Sequence, residues 1–318
     1  MKGYKYVCTA ASVRALLLFL LINRDASLSN TVFVFPKEGG IRGNLRDKLK
    51  NVIWLYRGNL LRRIYNYYKL KYLFKKMKLE SSLRFGFDDG SWTEYIVHTT
   101  KSFNLIEDGL INYTIIENLL SKYYTSIFRR VLLHTPFMHI PYGLSNHISK
   151  IYLTGIAEIP QEIEKKVCIV NIKDLWSSCS GQRKQEILDI FAVDNQKLVT
   201  KGRSILLITQ PLSEDKLMSE EDKMSIYKKV VDFYGASKIL IKPHPREITD
   251  YKKIFPNAIV WESNFPIELI MLNQNNFGIK TVVSVYSSAI FLFEDCEKIL
   301  LGAEAHPNLS FLKEKNIL

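Results

Sequence analysis

The sequence predicts an α/β protein of two domains, each built on a parallel β-sheet. Short apolar runs rich in β-branched residues alternate with helix-like segments along the whole 318-residue chain, which is typical of parallel strands joined by helical crossovers. The pattern breaks near residues 195–203 and resumes with a new strand at Ile205. We therefore predict Rossmann-like domains over residues 1–198 and 199–318, facing each other across a ligand cleft.

The apolar runs give the predicted strands in chain order. In the first domain they are Lys5–Cys8, Thr31–Phe35, Asn51–Tyr56, Ser82–Phe87, Phe103–Ile106 and Lys150–Leu153. In the second domain they are Ile205–Thr209, Lys238–Ile241, Ala258–Trp261, Thr281–Val285 and Lys298–Leu301. Helices are predicted over Ala15–Ile22, Asn59–Lys78, Asn118–Leu133, residues 184–192, Ser219–Tyr234 and Pro266–Leu272.

Composition points to a reduced, cytoplasmic, globular chain. Hydrophobic residues make up 47% of the sequence, and the four cysteines form no CxxC pair, so neither a disulfide framework nor a zinc site is expected. The apolar run Ala15–Ile22 is shorter than the roughly 20 residues that span a bilayer. No small-residue cleavage site follows it before Asn23, which argues against a signal peptide.

The net charge of +12 is concentrated in one segment. Residues 42–84 carry thirteen Lys and Arg against two acids, Asp47 and Glu80, and tyrosines and leucines interleave with the charges. Such a segment suits an anionic membrane surface or anionic ligand, nucleic acid, or simply a solvated helix face. No nucleic-acid module accompanies it, so we expect a peripheral position at the inner face of the inner membrane and no nucleic-acid partner.

A histidine between two prolines marks the strongest candidate site in the second domain. Proline cannot continue a central strand, so Lys242-Pro-His244-Pro-Arg246 must lie at a strand's carboxyl end, where open α/β sheets bind ligands. A lone His-Pro is more often an ordinary turn, but two further motifs favour a site. A cationic edge with a titratable imidazole suits a phosphate leaving group.

A pair of carboxylates follows a predicted strand in the first domain. Glu107-Asp108-Gly109 ends the run Phe103–Ile106, and adjacent carboxylates raise one another's proton affinity, which suits a general base. A similar Asp88-Asp89-Gly90 occurs earlier, but Ser91 and Glu94 after it have the spacing of a helix capping box. We therefore rank the Glu107 site first and keep Asp88 or Asp89 as the alternative base.

The remaining motifs lie at other predicted strand ends of the second domain. Ser287-Ser288 follows the run ending at Tyr286 and is expected to open a helix, where hydroxyls and free N–H groups would bind an anion. The alternative is a simple serine N-cap. Glu268 lies in a predicted first helical turn and is suited to ribose hydroxyls, and Thr209-Gln210 ends another strand.

With these motifs, the chain resembles the bacterial sialyltransferases, most closely glycosyltransferase family 52 and the capsule polysialyltransferases. Members carry an acidic-acidic-Gly motif, then a His-Pro motif, then a paired serine or serine-threonine motif. Here the matches are Glu107-Asp108-Gly109, His244-Pro245 and Ser287-Ser288, and the resemblance extends from about residue 80 to 295.

The resemblance implies a GT-B fold and an inverting transfer from CMP-sialic acid. The leading hypothesis for the acceptor is a surface glycan, either lipooligosaccharide, capsule or a related polymer. No Asp-x-Asp motif is placed to hold a metal, and hydroxyl and histidine contacts to a single phosphate could replace one, so neither a metal nor a cofactor is expected. The resemblance assigns Glu107 as the base with Asp108 as its neighbour or substitute, His244 as the acid or hydrogen-bond donor to the leaving phosphate, Ser287 and Ser288 as phosphate ligands, Lys242 and Glu268 as nucleoside contacts, and Pro245, Thr209 and Gln210 to the donor site. The alternatives are a GT-B transferase for another nucleotide sugar and a non-catalytic membrane- or nucleic-acid-binding protein.

Overall fold

The computed structural model describes most of the chain, which divides by its internal contacts into unit 1, residues 1–190, and unit 2, residues 191–318. The described residues are 3–37, 41, 43–58, 60–88, 93–100, 102–113, 141–191, 193, 202–261, 265–272, 278–294 and 296–310. The predicted boundary between residues 198 and 199 falls outside these ranges, so it stays a prediction.

Unit 1 contains a seven-stranded sheet of order β3-β2-β1-β4-β5-β6-β7, parallel throughout. Apolar side chains from these strands and the adjacent helices form its core, and the strands in the middle of the sheet are buried on both faces, as expected for a parallel sheet covered by helices. The strands are β1 (Tyr6–Thr9), β2 (Thr31–Pro36), β3 (Val52–Leu55), β4 (Leu83–Gly86), β5 (Phe103–Ile106), β6 (Ile148–Leu153) and β7 (Val167–Ile169).

Unit 2 repeats this plan with a five-stranded parallel sheet of order β10-β9-β8-β11-β12. Its core packs β8, β9 and β11 against tyrosines from two helices, Tyr227 and Tyr251. The strands are β8 (Ile205–Ile208), β9 (Ile239–Lys242), β10 (Ile259–Val260), β11 (Thr281–Ser284) and β12 (Glu297–Leu300).

Capping residues mark several of the helix ends. Ser12 caps the first helix by accepting the Ala15 N–H at 3.2 Å, Ser219 caps a later one through the Asp222 N–H at 3.0 Å, and Gly235 ends that helix at a φ of 84°. The α-helices are α1 (Val13–Ile22), α2 (Gly43–Lys48), α3 (Leu60–Met77), α4 (Glu94–His98), α5 (Ile172–Ser177), α6 (Gly181–Ile190), α7 (Glu220–Tyr234), α8 (Tyr251–Ile254) and α9 (Glu268–Met271). Short 3-10 helices span Leu110–Tyr113, Glu164–Lys166, Ala236–Lys238, Ser288–Leu292, Gly302–Ala305 and Pro307–Leu309.

In both sheets the strand order reverses at a switch point, where doubly wound folds bind ligands outside the carboxyl ends. In unit 1 this point lies between β1 and β4, whose ends approach closely. A Cβ on Gly86 would lie 1.8 Å from the Thr9 carbonyl oxygen, and Gly86 has a φ of +134°. In unit 2 the switch lies between β8 and β11, where the Ser284 hydroxyl donates to the Ile208 carbonyl at 2.9 Å.

The predicted α/β fold with two parallel sheets is confirmed, and each predicted strand is present within two residues of its expected ends. Strand β7 was not predicted because it is a three-residue edge strand that follows charged residues. The predicted helix Asn118–Leu133 lies outside the described residues. Among the helices that the structure describes, none is long and apolar enough to cross a lipid bilayer.

Candidate active site

The Glu107 carboxylate is buried at the carboxyl edge of the unit 1 sheet, directly after β5. It forms an ion pair with Arg14 of α1, whose guanidinium lies 2.5 Å from Oε1. Oε2 accepts the Tyr113 hydroxyl at 2.6 Å and the Thr154 N–H at 2.6 Å, and the Thr154 hydroxyl lies 2.8 Å from both oxygens. Burial raises the pKa of Tyr113 to about 12, with the Glu107 hydrogen bond adding to the effect, so Tyr113 stays a donor.

These contacts show that the Glu107 carboxylate links neighbouring segments of unit 1. Four donors from three segments converge on its two oxygens, so the carboxylate joins α1, the end of β6 and the 3-10 helix that follows β5. A proton acceptor needs an oxygen that faces the substrate, and both oxygens here already accept hydrogen bonds from the protein.

Asp108 has a different environment at the same strand end. Its side chain is half-buried and accepts the hydroxyl of Ser12, while its own N–H donates to the Asn112 amide oxygen at 2.8 Å. Burial raises the pKa of Asp108, and the Ser12 hydrogen bond and the charges of Arg57 and Arg14 oppose this increase. A half-buried carboxyl with a raised pKa has the properties of a general base.

Asp88, the alternative base, is fully buried and holds a neighbouring loop. Its two carboxylate oxygens accept the backbone N–H groups of Tyr142 and Gly143, each at 2.9 Å. Asp89 and Ser91 lie outside the described residues. The predicted capping box was wrong, because α4 begins after Thr93 and that side chain makes no capping hydrogen bond.

In unit 2, Thr209, Gln210 and the His244 segment lie together at the carboxyl edge of β8 and β9. The Thr209 N–H donates to the Lys242 carbonyl at 3.3 Å. The Gln210 N–H donates to the hydroxyl of buried Tyr227 at 2.7 Å. A backbone hydrogen bond therefore joins the ends of β8 and β9, and a helix side chain holds Gln210.

Glu247 fixes the His244 loop to this edge. Its buried carboxylate accepts the His244 N–H at 2.7 Å, the Thr209 hydroxyl, and the Tyr251 hydroxyl at 2.6 Å. The ammonium of buried Lys223 lies 3.9 Å away. Burial raises the pKa of Glu247, and hydrogen bonds from Thr209 and Tyr251 oppose this.

The His244 ring is neutral at physiological pH. Burial lowers its pKa to about 4, and the charges of Arg246 and Lys242 contribute. The Arg246 N–H donates to Nδ1 at 3.2 Å, so the ring proton sits on Nε2. The ring is half-buried, and its Nε2–H is suited to donate a hydrogen bond to an anionic group. Arg246 is itself paired with Asp215 through two N–H groups.

Lys242 and Glu268 are both nearly inaccessible, at 2% and 3% exposure. The Lys242 ammonium donates to the Pro243 carbonyl at 3.0 Å and lies 4.8 Å from the centre of the Phe265 ring. Glu268 begins α9, three residues after Phe265. Pro245 is half-buried between His244 and Arg246.

Ser287 follows β11 and caps a 3-10 helix, Ser288–Leu292, instead of the α-helix that was predicted. Its hydroxyl accepts the Ala289 N–H at 3.3 Å, and its own N–H donates to the Ser284 hydroxyl at 3.3 Å. The Ser288 side chain lies outside what the structure describes. The serine turn therefore lies at the switch point of unit 2, next to the end of β8.

Comparison with known proteins decides the family. The profile of Glycosyltransferase family 52 matches residues 41–308. The chain belongs to glycosyltransferase family 52. An uncharacterized protein of Haemophilus influenzae is 33% identical to it over 313 residues, 96% of each chain.

Two solved structures show the GT-B fold at low sequence identity. The 2,6-sialyltransferase of Photobacterium sp. JT-ISH-224, crystallised with CMP and lactose, has a TM-score of 0.58 and 10% identity, over 98% of this chain and 76% of that one. The GT-B domain of a sialyltransferase from Photobacterium damselae has a TM-score of 0.51 and 12% identity, over 92% of this chain and 89% of that one.

For this family 52 chain, sequence reasoning missed several residues that build the two strand ends. No role was predicted for Arg14 or for Glu247. The spacing of Arg14 within α1 could have signalled a buried pair, because a charge in an apolar helix needs a partner. Within the described ranges, no cluster of three His, Cys, Asp or Glu is placed to hold a metal ion.

Proposed function

We propose that this family 52 glycosyltransferase transfers sialic acid from CMP-sialic acid to a hydroxyl group of a bacterial surface glycan, with inversion and without a metal. The observation that carries the proposal is the pair of dissimilar strand ends. The end of β5 is followed by a half-buried carboxyl of raised pKa, Asp108. The end of β9 at Lys242 is followed by a neutral imidazole, His244, and a serine turn follows β11 in the same sheet.

Asp108 is proposed as the base. It would take the proton from the acceptor hydroxyl as that oxygen bonds to the anomeric carbon of the sugar. Glu107 would hold Arg14 and the end of β6 in place and would not touch substrate. This assignment prefers the second carboxylate of the pair, because the oxygens of Glu107 are occupied by Arg14, Tyr113 and Thr154.

His244 would stabilise the departing CMP. As the bond between the anomeric carbon and the phosphate oxygen breaks, negative charge grows on the phosphate, and the Nε2–H would donate to it. Ser287 and Ser288 would contribute hydroxyl and backbone donors, and Lys242 its positive charge. Thr209, Gln210, Pro245 and Glu268 would shape the nucleoside side of the site. Such donors suit an oxocarbenium-like transfer.

Lipooligosaccharide or capsular polysaccharide is the proposed acceptor, and the proposed location is the cytoplasm beside the inner membrane, where such glycans are assembled. The support is the basic segment 42–84, which suits an anionic surface.

A donor panel tests the reaction. The full chain is incubated with CMP-sialic acid, UDP-galactose or UDP-N-acetylglucosamine, together with galactosyl and sialyl acceptors, and nucleotide release is measured. We expect CMP to be the only nucleotide released. Its release should be lost in His244→Ala and kept in the control His147→Ala, because His147 directly precedes β6 and so lies at the amino ends of the unit 1 strands, away from the candidate site. Turnover of a UDP-sugar instead would assign another donor, and turnover of none would refute the transferase.

A further inference from the structure

Helix α3 has two apolar faces, and only one of them faces the core of unit 1. Leu70 and Phe74 are 1% exposed and pack in the core with the strands. Large apolar and aromatic side chains also occupy the outward face. An ordinary surface helix is apolar on one side and polar on the other, so the outward apolar face requires an explanation.

The outward face is a continuous row of side chains. Leu61, Tyr65, Tyr68 and Tyr72 are 75%, 53%, 63% and 62% exposed, and their spacing of four, three and four residues places them on one side of the helix. Single exposed apolar residues are common on protein surfaces, whereas a contiguous row marks an interaction surface.

Positive charge borders this row on both sides. Arg62, Lys69 and Lys76 lie along one flank at intervals of seven residues, and Lys71 and Lys75 lie along the other. The ammonium groups of Lys69 and Lys76 each lie 5.7 Å from the centre of a tyrosine ring of the row. The helix Leu60–Met77 contains no acidic residue.

We propose that this face of α3 docks the chain on an anionic lipid bilayer, with the helix axis parallel to the membrane surface. Tyrosine rings suit the boundary between headgroups and acyl chains, since one end is apolar and the other binds water. The exposed side chains of Lys71, Lys75 and Lys76 would reach the anionic headgroups, whereas the Lys69 ammonium donates to the Trp54 carbonyl at 2.9 Å. A second copy of the chain would bring like charges together, which disfavours self-association through this face.

The position of α3 connects docking to the candidate site. The helix begins shortly after β3 ends, at the carboxyl edge of the sheet in unit 1. The charge of Arg57 in this connection opposes the increase in the pKa of Asp108 that burial causes. A chain lying on this face would hold the Asp108 edge close to a membrane-borne acceptor. The inference deepens the proposed location and does not depend on the proposed reaction.

Sedimentation with vesicles tests the proposal without donor or acceptor, so failure of the proposed reaction leaves it intact. We expect the chain to sediment with vesicles of phosphatidylcholine and phosphatidylglycerol and to stay in solution with phosphatidylcholine alone. Replacing Lys71, Lys75 and Lys76 by Gln should weaken binding on the order of 100-fold, because each lysine near an anionic surface contributes about fivefold. Replacing Tyr65, Tyr68 and Tyr72 by Ser should weaken it about tenfold or more.

Matched controls lie on other exposed surfaces. Lys228, Lys229 and Lys238 changed to Gln remove the same charge from unit 2, and Ile169→Ser with Phe233→Ser removes exposed apolar area elsewhere. Both should bind vesicles like the parent chain. Equal loss of binding in the controls, or no sedimentation of the parent chain, would overturn the proposal. The proposal would also be overturned by a chain with Tyr65, Tyr68 and Tyr72 changed to Ser that keeps full vesicle binding, or by a parent chain that binds nucleic acid but not the anionic vesicles.

Discussion

Substitution of the two adjacent carboxylates by their amides should have opposite effects on stability and turnover. In Glu107→Gln, the new NH₂ group takes the place of either Oε1 or Oε2, and at each position it lies against a hydrogen-bond donor of the protein. It meets the Arg14 guanidinium at the position of Oε1, or the Thr154 N–H at the position of Oε2. Neither partner can accept a hydrogen bond, so the fold itself is damaged.

The size of this effect follows from the burial of the pair. The Glu107 side chain is 0% exposed and that of Arg14 is 18% exposed, and breaking a buried ion pair costs about 3–5 kcal/mol. The thermal midpoint of unit 1 should fall by about 6–20 °C. In Asp108→Asn, the Ser12 hydroxyl can reverse its hydrogen bond, so we expect a loss of about 1 kcal/mol or less.

Turnover should follow the reverse order. Asp108→Asn removes the proposed base, so CMP release should fall about 10²–10⁴-fold in a folded protein. Glu107→Gln should keep most of its turnover below its lowered unfolding temperature. Urea and thermal unfolding, followed by circular dichroism, are compared with initial rates of CMP release.

The pH profile provides a second readout of the same pair. Because burial raises the pKa of Asp108, the parent enzyme should lose activity, as the pH falls, at a higher pH than the ordinary aspartate pKa of about 3.9. Glu107→Gln should keep this acidic limb and Asp108→Asn should lose it. A stable, inactive Glu107→Gln together with an active Asp108→Asn would refute the assignment.

Three further predictions concern unit 2 and the metal. His244→Ala should lower CMP release about 10²–10⁴-fold with an unchanged thermal midpoint, and a fully active variant would contradict the proposed role of His244. In the parent chain the NMR signal of the His244 ring should not titrate between pH 6 and 8, since the pKa of this ring is about 4. Glu247→Leu leaves the His244 N–H and the Thr209 and Tyr251 hydroxyls without their acceptor, so stability measured in urea should fall about 3–5 kcal/mol and the KM for the donor should rise more than kcat falls. An unchanged KM would show that the loop does not position the donor. Turnover should be unaffected by EDTA in a direct rate assay, and a strict metal requirement would exclude the proposed mechanism.

The sequence predicts the sheets well because their signal is local. Buried parallel strands are short apolar runs, so β5 is found at its predicted residues and β8 within one residue. Proline and the charged residues after each run mark the carboxyl ends, which is why the strand ends in both units were recognised. At the end of β5 the sequence identified Glu107 and Asp108 as candidates for the base, but it could not show which of the two has a catalytic role and which a structural one.

The contacts that distinguish Glu107 from Asp108 are long-range. Arg14 lies 93 residues from Glu107 in sequence and Thr154 lies 47 residues from it, and no local pattern shows that these groups meet. The same holds for Glu247, whose hydroxyl partner on Thr209 is 38 residues away. Base strength and structural support depend on such tertiary partners, so the sequence alone left both carboxylates as candidates.

The central place of β1 has a consequence for biosynthesis. This strand pairs on one side with β2 and on the other with β4, through Tyr6 to Thr31 and Tyr6 to Leu83. A nascent chain can satisfy the first edge early, but the second stays open until Leu83–Gly86 has left the ribosome. During that interval an apolar strand has unpaired N–H and C=O groups, so we expect this stage of synthesis to be when the chain most needs a chaperone.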